Sequence, residues 1–250
     1  MTQTDNLNNL KILGLDTTSK HASIAIAQDN QIILEFNFTT LDNLSATLIP
    51  SIDSALKSAG LTLDQIDVFG ICTGPGRFTG IRVGLSTLKG LLLANQKPVA
   101  AIDTLKTLAN KYYFANTPII SLIDAKREEV YAAAYDVSNP GEPQEMIPPT
   151  LTGIHHLKEY LIKFDPNIQN KDLQWVGSGA DAYENLIKEN FPNSVICRRS
   201  HFLAPEVCQQ ALAMHNKNKT TTNMQNIAPF YIRKPDAEQN LERQKAKEKR

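Results

Sequence analysis

The period of hydrophobic and polar positions changes several times along the first hundred residues. Ile12 to Leu15 is a short apolar run ending at Asp16-Thr17-Thr18-Ser19, and Ser23 to Ala27 is a second, with Ile24 and Ile26 facing one way. Gln28-Asp29-Asn30-Gln31 separates it from Ile32 to Phe38 as a hairpin turn, so three adjacent antiparallel strands are predicted. From Asn43 to Ala59 the period becomes helical, with Leu44, Leu48, Ile49, Ile52, Leu56 and Ala59 on one side. Pro50 predicts either a kink or a helix that begins near it. Val68 to Cys72 returns to a buried strand. Ile81, Leu85, Leu88 and Leu92 then mark a second helix, Thr79 to Ala94, which Leu91-Leu92-Leu93 makes apolar on more than one face. Pro98 to Ile102 reads as a strand, and Asp103 caps a helix carrying Leu105, Leu108, Ala109 and Tyr112.

The pattern repeats in outline after Pro118. Ile119 to Ile123 is a strand ending at an acid, Asp124, and Val130 to Val137 is the next. Ser138 to Pro143 is a turn or exposed loop, and Pro148-Pro149 argues against a regular interior strand there. Leu173 to Val176 and Ser194 to Cys197 are brief strands around Gly177-Ser178-Gly179 and a helix from Asp181 to about Glu189. Pro205 starts a helix over Ala204 to Met214. Lys217 to Asn226 reads as a loop, Pro229 to Arg233 as a final strand or docking segment, and the residues from Lys234 onward carry no core-forming stripe.

Composition narrows the function classes. With 26 basic and 26 acidic residues in 250, the chain has no global bias toward nucleic acid or membrane. The closing basic cluster is a local hint of RNA contact. Three scattered cysteines, Cys72, Cys197 and Cys208, make neither a disulfide framework nor a close metal-ligand pair, which suits a reducing cytoplasm. The polar start lacks a secretory pattern, and no apolar stretch is long enough to span a membrane. Adjacent His155 and His156 point in different directions on a helix, and His201 near Cys197 lacks the partners of a catalytic dyad.

The organising stretch is Cys72 to Leu93, a strand, a glycine-rich turn and a helix. Gly76, Gly80, Gly84 and Gly90 weaken a helix unless something approaches its backbone closely. One reading is an amide cradle for an anion at the helix start; the other is close packing, with Gly84 and Gly90 admitting a neighbouring helix. The turn lacks the lysine of a Walker loop and the spacing of a dinucleotide fingerprint, so packing is the stronger reading. Asp16 and Thr17 after the first strand either meet a metal-bridged phosphate or simply form a turn.

Three segments together resemble the bacterial TsaB family, also called YeaZ: Ile12 to Thr18, Gly74-Pro75-Gly76-Arg77-Phe78-Thr79-Gly80-Ile81-Arg82-Val83-Gly84, and Asp124 to Tyr131. The likeness continues through Val176 to Gly179 and Tyr231-Ile232-Arg233 and covers nearly the whole chain. It implies an α/β fold of two ribonuclease-H-like lobes, of the actin, sugar-kinase and heat-shock-protein ATPase superfamily. Residues 1–108 would form the first lobe, with a late helix near 204–216 packing back on it. Residues 109–203 would form a reduced second lobe, and 217–250 a loop, docking segment and tail.

The resemblance further implies a noncatalytic scaffold that binds the related protein TsaD for threonylcarbamoylation of the tRNA adenosine next to the anticodon. The small ATPase TsaE would join it, tRNA would be met through the complex, and the chain would form a homodimer when TsaD is absent. No cofactor would be required by the isolated chain, while ATP and magnesium serve the assembled pathway. The alternative is an ATP-dependent small-molecule kinase or ATPase of the same superfamily. Asp16, Thr17, Gly76 and Asp124 match phosphate-loop positions and are the candidate nucleotide contacts. The candidate partner interface is Leu44, Leu48, Ile52, Leu56, Gly84, Leu85, Leu88, Gly90 and Leu92, part of which must fill the lobe's own core. Leu44 stands where family members often carry a histidine, which removes a possible metal ligand and strengthens the noncatalytic reading.

Overall fold

A computed structural model describes residues 9–39, 43–113 and 115–232. The predicted basic tail and the first eight residues lie outside them. Two five-stranded mixed sheets form the frame. The first contains β1 (Lys11–Asp16), β2 (His21–Gln28), β3 (Gln31–Thr39), β4 (Val68–Gly74) and β5 (Val99–Asp103), in the spatial order β3-β2-β1-β4-β5. The second contains β6 (Ile119–Asp124), β7 (Glu129–Asp136), β8 (Gln144–Gly153), β9 (Leu173–Val176) and β10 (Ser194–Cys197), in the order β10-β9-β6-β7-β8. In each sheet the first three strands run antiparallel to their neighbours, and the fourth and fifth continue in parallel from the first. The same order and pairings occur twice, so the chain is two ribonuclease-H-like lobes.

Apolar strands buried on both faces need cover on both faces. On one face of the first sheet lie α1 (Leu44–Ser58) and α2 (Phe78–Ala94), whose Leu48, Ile52, Leu56, Ile81, Leu85, Leu88 and Leu92 join Leu13, Leu15, Ile24, Phe69 and Ile71 in one core. Pro50 lies within α1 rather than at its start: the helix runs through it, with Pro50 on the exposed side. On the other face, α7 (Ala204–Asn216) packs Val207, Cys208 and Ala211 against Ile12, Val68, Cys72 and Ala100. Its first amides are capped from outside the helix, where Ser23 Oγ accepts hydrogen bonds from Leu203 N at 3.1 Å and Ala204 N at 3.0 Å. α3 (Thr104–Asn110) begins at Asp103, whose carboxylate accepts from Leu105 N and Lys106 N. Its Leu105 and Leu108 pack with Ile119, Tyr135 and Val176 of the second sheet.

The second lobe carries α4 (Leu157–Phe164), α5 (Ser178–Ala182) and α6 (Glu184–Asn190), the last two replacing the single helix predicted after Gly179. Pro148 and Pro149 do fall in a strand, but β8 is the sheet edge and its register with β7 shifts between Ala132 and Ala134. An edge position tolerates the missing proline donors. The segment after α7 forms a strap across the first lobe: Thr221 bridges Val99, Ile227 is buried, and Phe230 N donates to Thr73 O at 2.8 Å.

Two glycines of the first sheet set how closely α7 can lie. A Cβ at Gly14 would stand 2.7 Å from both Ala204 O and Cys208 Sγ, and one at Gly70 would stand 2.7 Å from Val207 Cγ1. Gly14→Val is therefore expected to destabilise the protein by about 1–3 kcal/mol through overpacking, read as a lower Tm or urea midpoint. An unchanged midpoint would show that α7 does not bear on β1.

Candidate functional site

The residues singled out by sequence meet where β1 ends and α2 begins. Thr17 and Thr18 follow β1 into a buried turn laid against the first turns of α2. Thr17 Oγ1 donates to Gly80 O at 2.9 Å, and Arg77 N donates to Thr18 O at 2.6 Å. Gly76, Gly80 and Gly84, at helical spacing, form the face this turn occupies. A Cβ at Gly76 or Gly80 would overlap the carbonyl oxygen of Thr18 or Thr17, and one at Gly84 would overlap Thr17 Oγ1. The glycines thus serve close packing, but their partner is the chain's own Asp16–Thr18 turn and not another helix. Gly90 is different, being exposed with open space where a Cβ would stand.

Asp16 is wholly enclosed. Its Oδ1 accepts from Thr18 N at 2.9 Å and Thr18 Oγ1 at 2.7 Å, whereas its Oδ2 is buried without a hydrogen-bond partner among the described residues. Burial pushes its carboxyl up to about 6, against the opposing pull of the Thr18 hydrogen bonds. The neighbouring Cys72 thiol, 3.6 Å from Thr107 Oγ1, is pushed up by burial and by the Asp16 charge. The carboxyl has no exposed surface in this structure.

The second lobe leaves its equivalent acid partly exposed and paired with a lysine. Asp124 ends β6, and its carboxylate accepts from Lys126 N at 2.9 Å and pairs with Lys126 Nζ at 2.6 Å. Lys126, Arg127 and Glu128 all have left-handed backbone, with φ of 63°, 57° and 60°. Gly177, with φ of 96°, leaves no room for a Cβ beside Leu122 O and Leu108, and a Cβ at Gly179 would lie 2.8 Å from Leu122 Cβ. Both glycine turns are thus pressed onto the end of their lobe's first strand. His155 and His156 are exposed, and no metal-binding group of three acids, cysteines or histidines occurs among the described residues. A depression of about 450 Å³ lies elsewhere, between Asn30, the turn Pro140–Glu142 and α7; none of the predicted residues line it.

The predicted interface divides in two. Leu48, Ile52, Leu56, Leu85, Leu88 and Leu92 are core, Gly84 holds the Thr17 turn, and Leu44 is half-buried against the same core. Those buried side chains are spent within the lobe because the sheet beneath α1 and α2 must be covered. The faces that remain outward carry Ile49, 55% exposed, with Pro50 on α1, and Leu93, 77% exposed, with Ser86, Gly90 and Ala94 on α2. Ile49 and Leu93 were not singled out as interface residues. The run Leu91-Leu92-Leu93, apolar beyond one stripe, was the signal that pointed to the second face.

Comparison with known proteins fits this geometry. Residues 39–241 match the family model described as TsaD: tRNA N6-adenosine threonylcarbamoyltransferase. Over 236 residues the chain is 27% identical to the tRNA threonylcarbamoyladenosine biosynthesis protein TsaB of Escherichia coli K12, covering 90% of this chain and 95% of that protein. The chain belongs to the TsaB (YeaZ) family. TsaB of Bacillus subtilis 168 is 24% identical over 229 residues, covering 92% of this chain and 96% of that one. The fold is that of YeaZ from Pseudomonas aeruginosa, with a TM-score of 0.74 and 23% identity over 89% of this chain and 99% of that one. The TsaB relatives are thus matched nearly end to end. No helix among the described residues is long and apolar enough to cross a membrane.

The enclosed Asp16 gives a stability prediction with a definite sign. Its folded-state value, about 6, lies above the ordinary aspartate value of 3.8, so the folded protein holds the proton more tightly than the unfolded chain. Stability then falls as pH rises through that window, and the cost persists at higher pH. Asp16→Asn, which keeps an acceptor for Thr18, should raise stability by on the order of 2 kcal/mol at pH 8 and by little at pH 4. Urea melts at both pH values test this; a loss of stability at pH 8 would show that the charged carboxylate has a partner.

Proposed function

We propose that this chain is the noncatalytic TsaD-binding subunit for threonylcarbamoylation of the tRNA adenosine next to the anticodon. The observation that carries the reading is the closed first-lobe turn: Asp16 is wholly buried, and Thr17 and Thr18 pack directly against Gly76, Gly80 and Gly84. Family membership supplies the pathway, and the match of this chain to a TsaD family model supports pairing between two proteins of related fold. On this reading the small ATPase TsaE, with ATP and magnesium, acts on the assembly. The work takes place in the cytoplasm, and no cofactor is bound by the isolated chain.

Under the same reading the contact surface is the outward side of α1 and α2, where Ile49 and Pro50 of the first helix and Ser86, Gly90, Leu93 and Ala94 of the second are exposed. Exposed leucine and isoleucine beside small residues allow close helix pairing, and burying them contributes roughly 25 cal/mol per Å² before ordering costs. The chain pairs with itself through this face in isolation and exchanges that contact for TsaD.

Leu93→Asp should weaken self-association and TsaD binding by about tenfold or more while changing monomer stability by less than about 0.5 kcal/mol. Mass measurement by light scattering, co-purification with TsaD, and a tRNA-modification assay with and without the chain provide the readouts. A chain that neither dimerises nor binds TsaD, and is dispensable for modification, would contradict the reading. Gly84→Trp is unsuited to this test, since it strikes Thr17 inside the lobe.

A further inference from the structure

The net charge of zero conceals an uneven distribution. No Asp or Glu occurs from Val68 to Ile102, nor from Val207 to Pro235, in a chain where acids make up 26 of 250 residues. These two acid-free segments are brought together by the strap: Val99 pairs with Thr221, Gln96 Nε2 reaches Thr222 O, and Phe230 N bonds to Thr73 O. At the start of α2 they build one cluster. The Arg82 guanidinium sits 3.9 Å over the Phe78 ring and its Nε donates to Tyr231 Oη at 3.1 Å, while Phe78 and Tyr231 stack with centroids 5.3 Å apart. Phe78 and Phe230 each keep 39% of their surface exposed, and the side chains of Arg77 and Arg82 face solvent. Among the described residues neither arginine has a carboxylate partner.

We infer that this arginine and aromatic surface binds an unpaired segment of RNA. Exposed aromatic rings and guanidinium planes accept stacked bases, and arginines free of carboxylates attract the phosphates between them. A duplex hides its base faces and so uses only the second of these. A protein partner would equally use aromatics and arginine, but two exposed arginines without a carboxylate partner among the described residues favour a polyanion. The inference rests on the tRNA-modification reading and adds to it a direct contact between this chain and the RNA.

The test is fluorescence anisotropy of the full-length chain with a labelled oligouridine of about 12 nucleotides at low salt. Arg77→Glu and Arg82→Glu should each weaken binding by about tenfold, Lys163→Glu on α4 should change it less than about twofold, and a blunt RNA duplex should bind more weakly than the single strand. Because Arg82 touches Tyr231, thermal melts accompany that variant; Arg77 contributes only its backbone to the contacts described and serves as the variant that spares packing. Failure of the chain to bind the oligonucleotide, indifference of binding to Arg77→Glu, or an equal effect of Lys163→Glu would overturn the inference. Loss of TsaD association in Arg77→Glu without any RNA binding would overturn it too, in favour of a protein contact. In each of these cases a modification assay that still requires the chain leaves the proposed function standing.

Discussion

The packing of the Asp16–Thr18 turn into the glycine face of α2 is the contact on which the rest of the first lobe depends. Carbonyl oxygens of Thr17 and Thr18 occupy the space that side chains at positions 80 and 76 would need; Arg77 N holds the Thr18 carbonyl, and the Thr17 hydroxyl donates to Gly80 O. The contact therefore sets the angle at which α2 crosses the sheet. That angle places Ile81, Leu85, Leu88 and Leu92 inward, and Ser86, Gly90 and Leu93 outward. Asp16, which opens the same turn, is wholly buried.

The two lobes share this device as well as their strand order. In each, the turn after the fourth strand carries glycines that close on the end of the first strand: Gly76 and Gly80 on Thr17 and Thr18, and Gly177 and Gly179 on Leu122. Both glycine turns are therefore close-packed against their own lobe. The proposed contact surface on the outward side of α1 and α2, and the arginine and aromatic cluster at the start of α2, both lie on exposed residues. Membership of the TsaB family gives that surface a context in tRNA threonylcarbamoyladenosine biosynthesis.

Much of the fold was legible because strands buried on both faces and amphipathic helices leave strong periodic traces. Ile12 to Leu15, Leu173 to Val176 and the helix of Ile81 to Leu92 are of this kind. β8 was missed because Pro148 and Pro149 forbid an interior strand, and nothing local says that the position is an edge. The helix through Pro50 was left open because a proline that faces solvent is tolerated when the opposite side, Leu48 and Ile52, is anchored in a core. At the candidate site the glycine spacing announces a close approach but cannot name what approaches, since that contact joins residues 63 positions apart, Thr17 and Gly80. Periodicity likewise reports that Leu48, Leu85 and Leu88 are buried, not what buries them. The same stripe suits a partner's helix and the lobe's own sheet.

The central claim is that the first lobe contributes to tRNA modification by shape and assembly, with Asp16 as a buried structural acid. The most direct measurement is threonylcarbamoyl incorporation into tRNA by a reconstituted mixture containing TsaD, TsaE and either the natural chain or Asp16→Asn. The account predicts equal incorporation with both, and no incorporation when the chain is omitted. A folded Asp16→Asn variant that binds TsaD normally yet fails to support incorporation would contradict it.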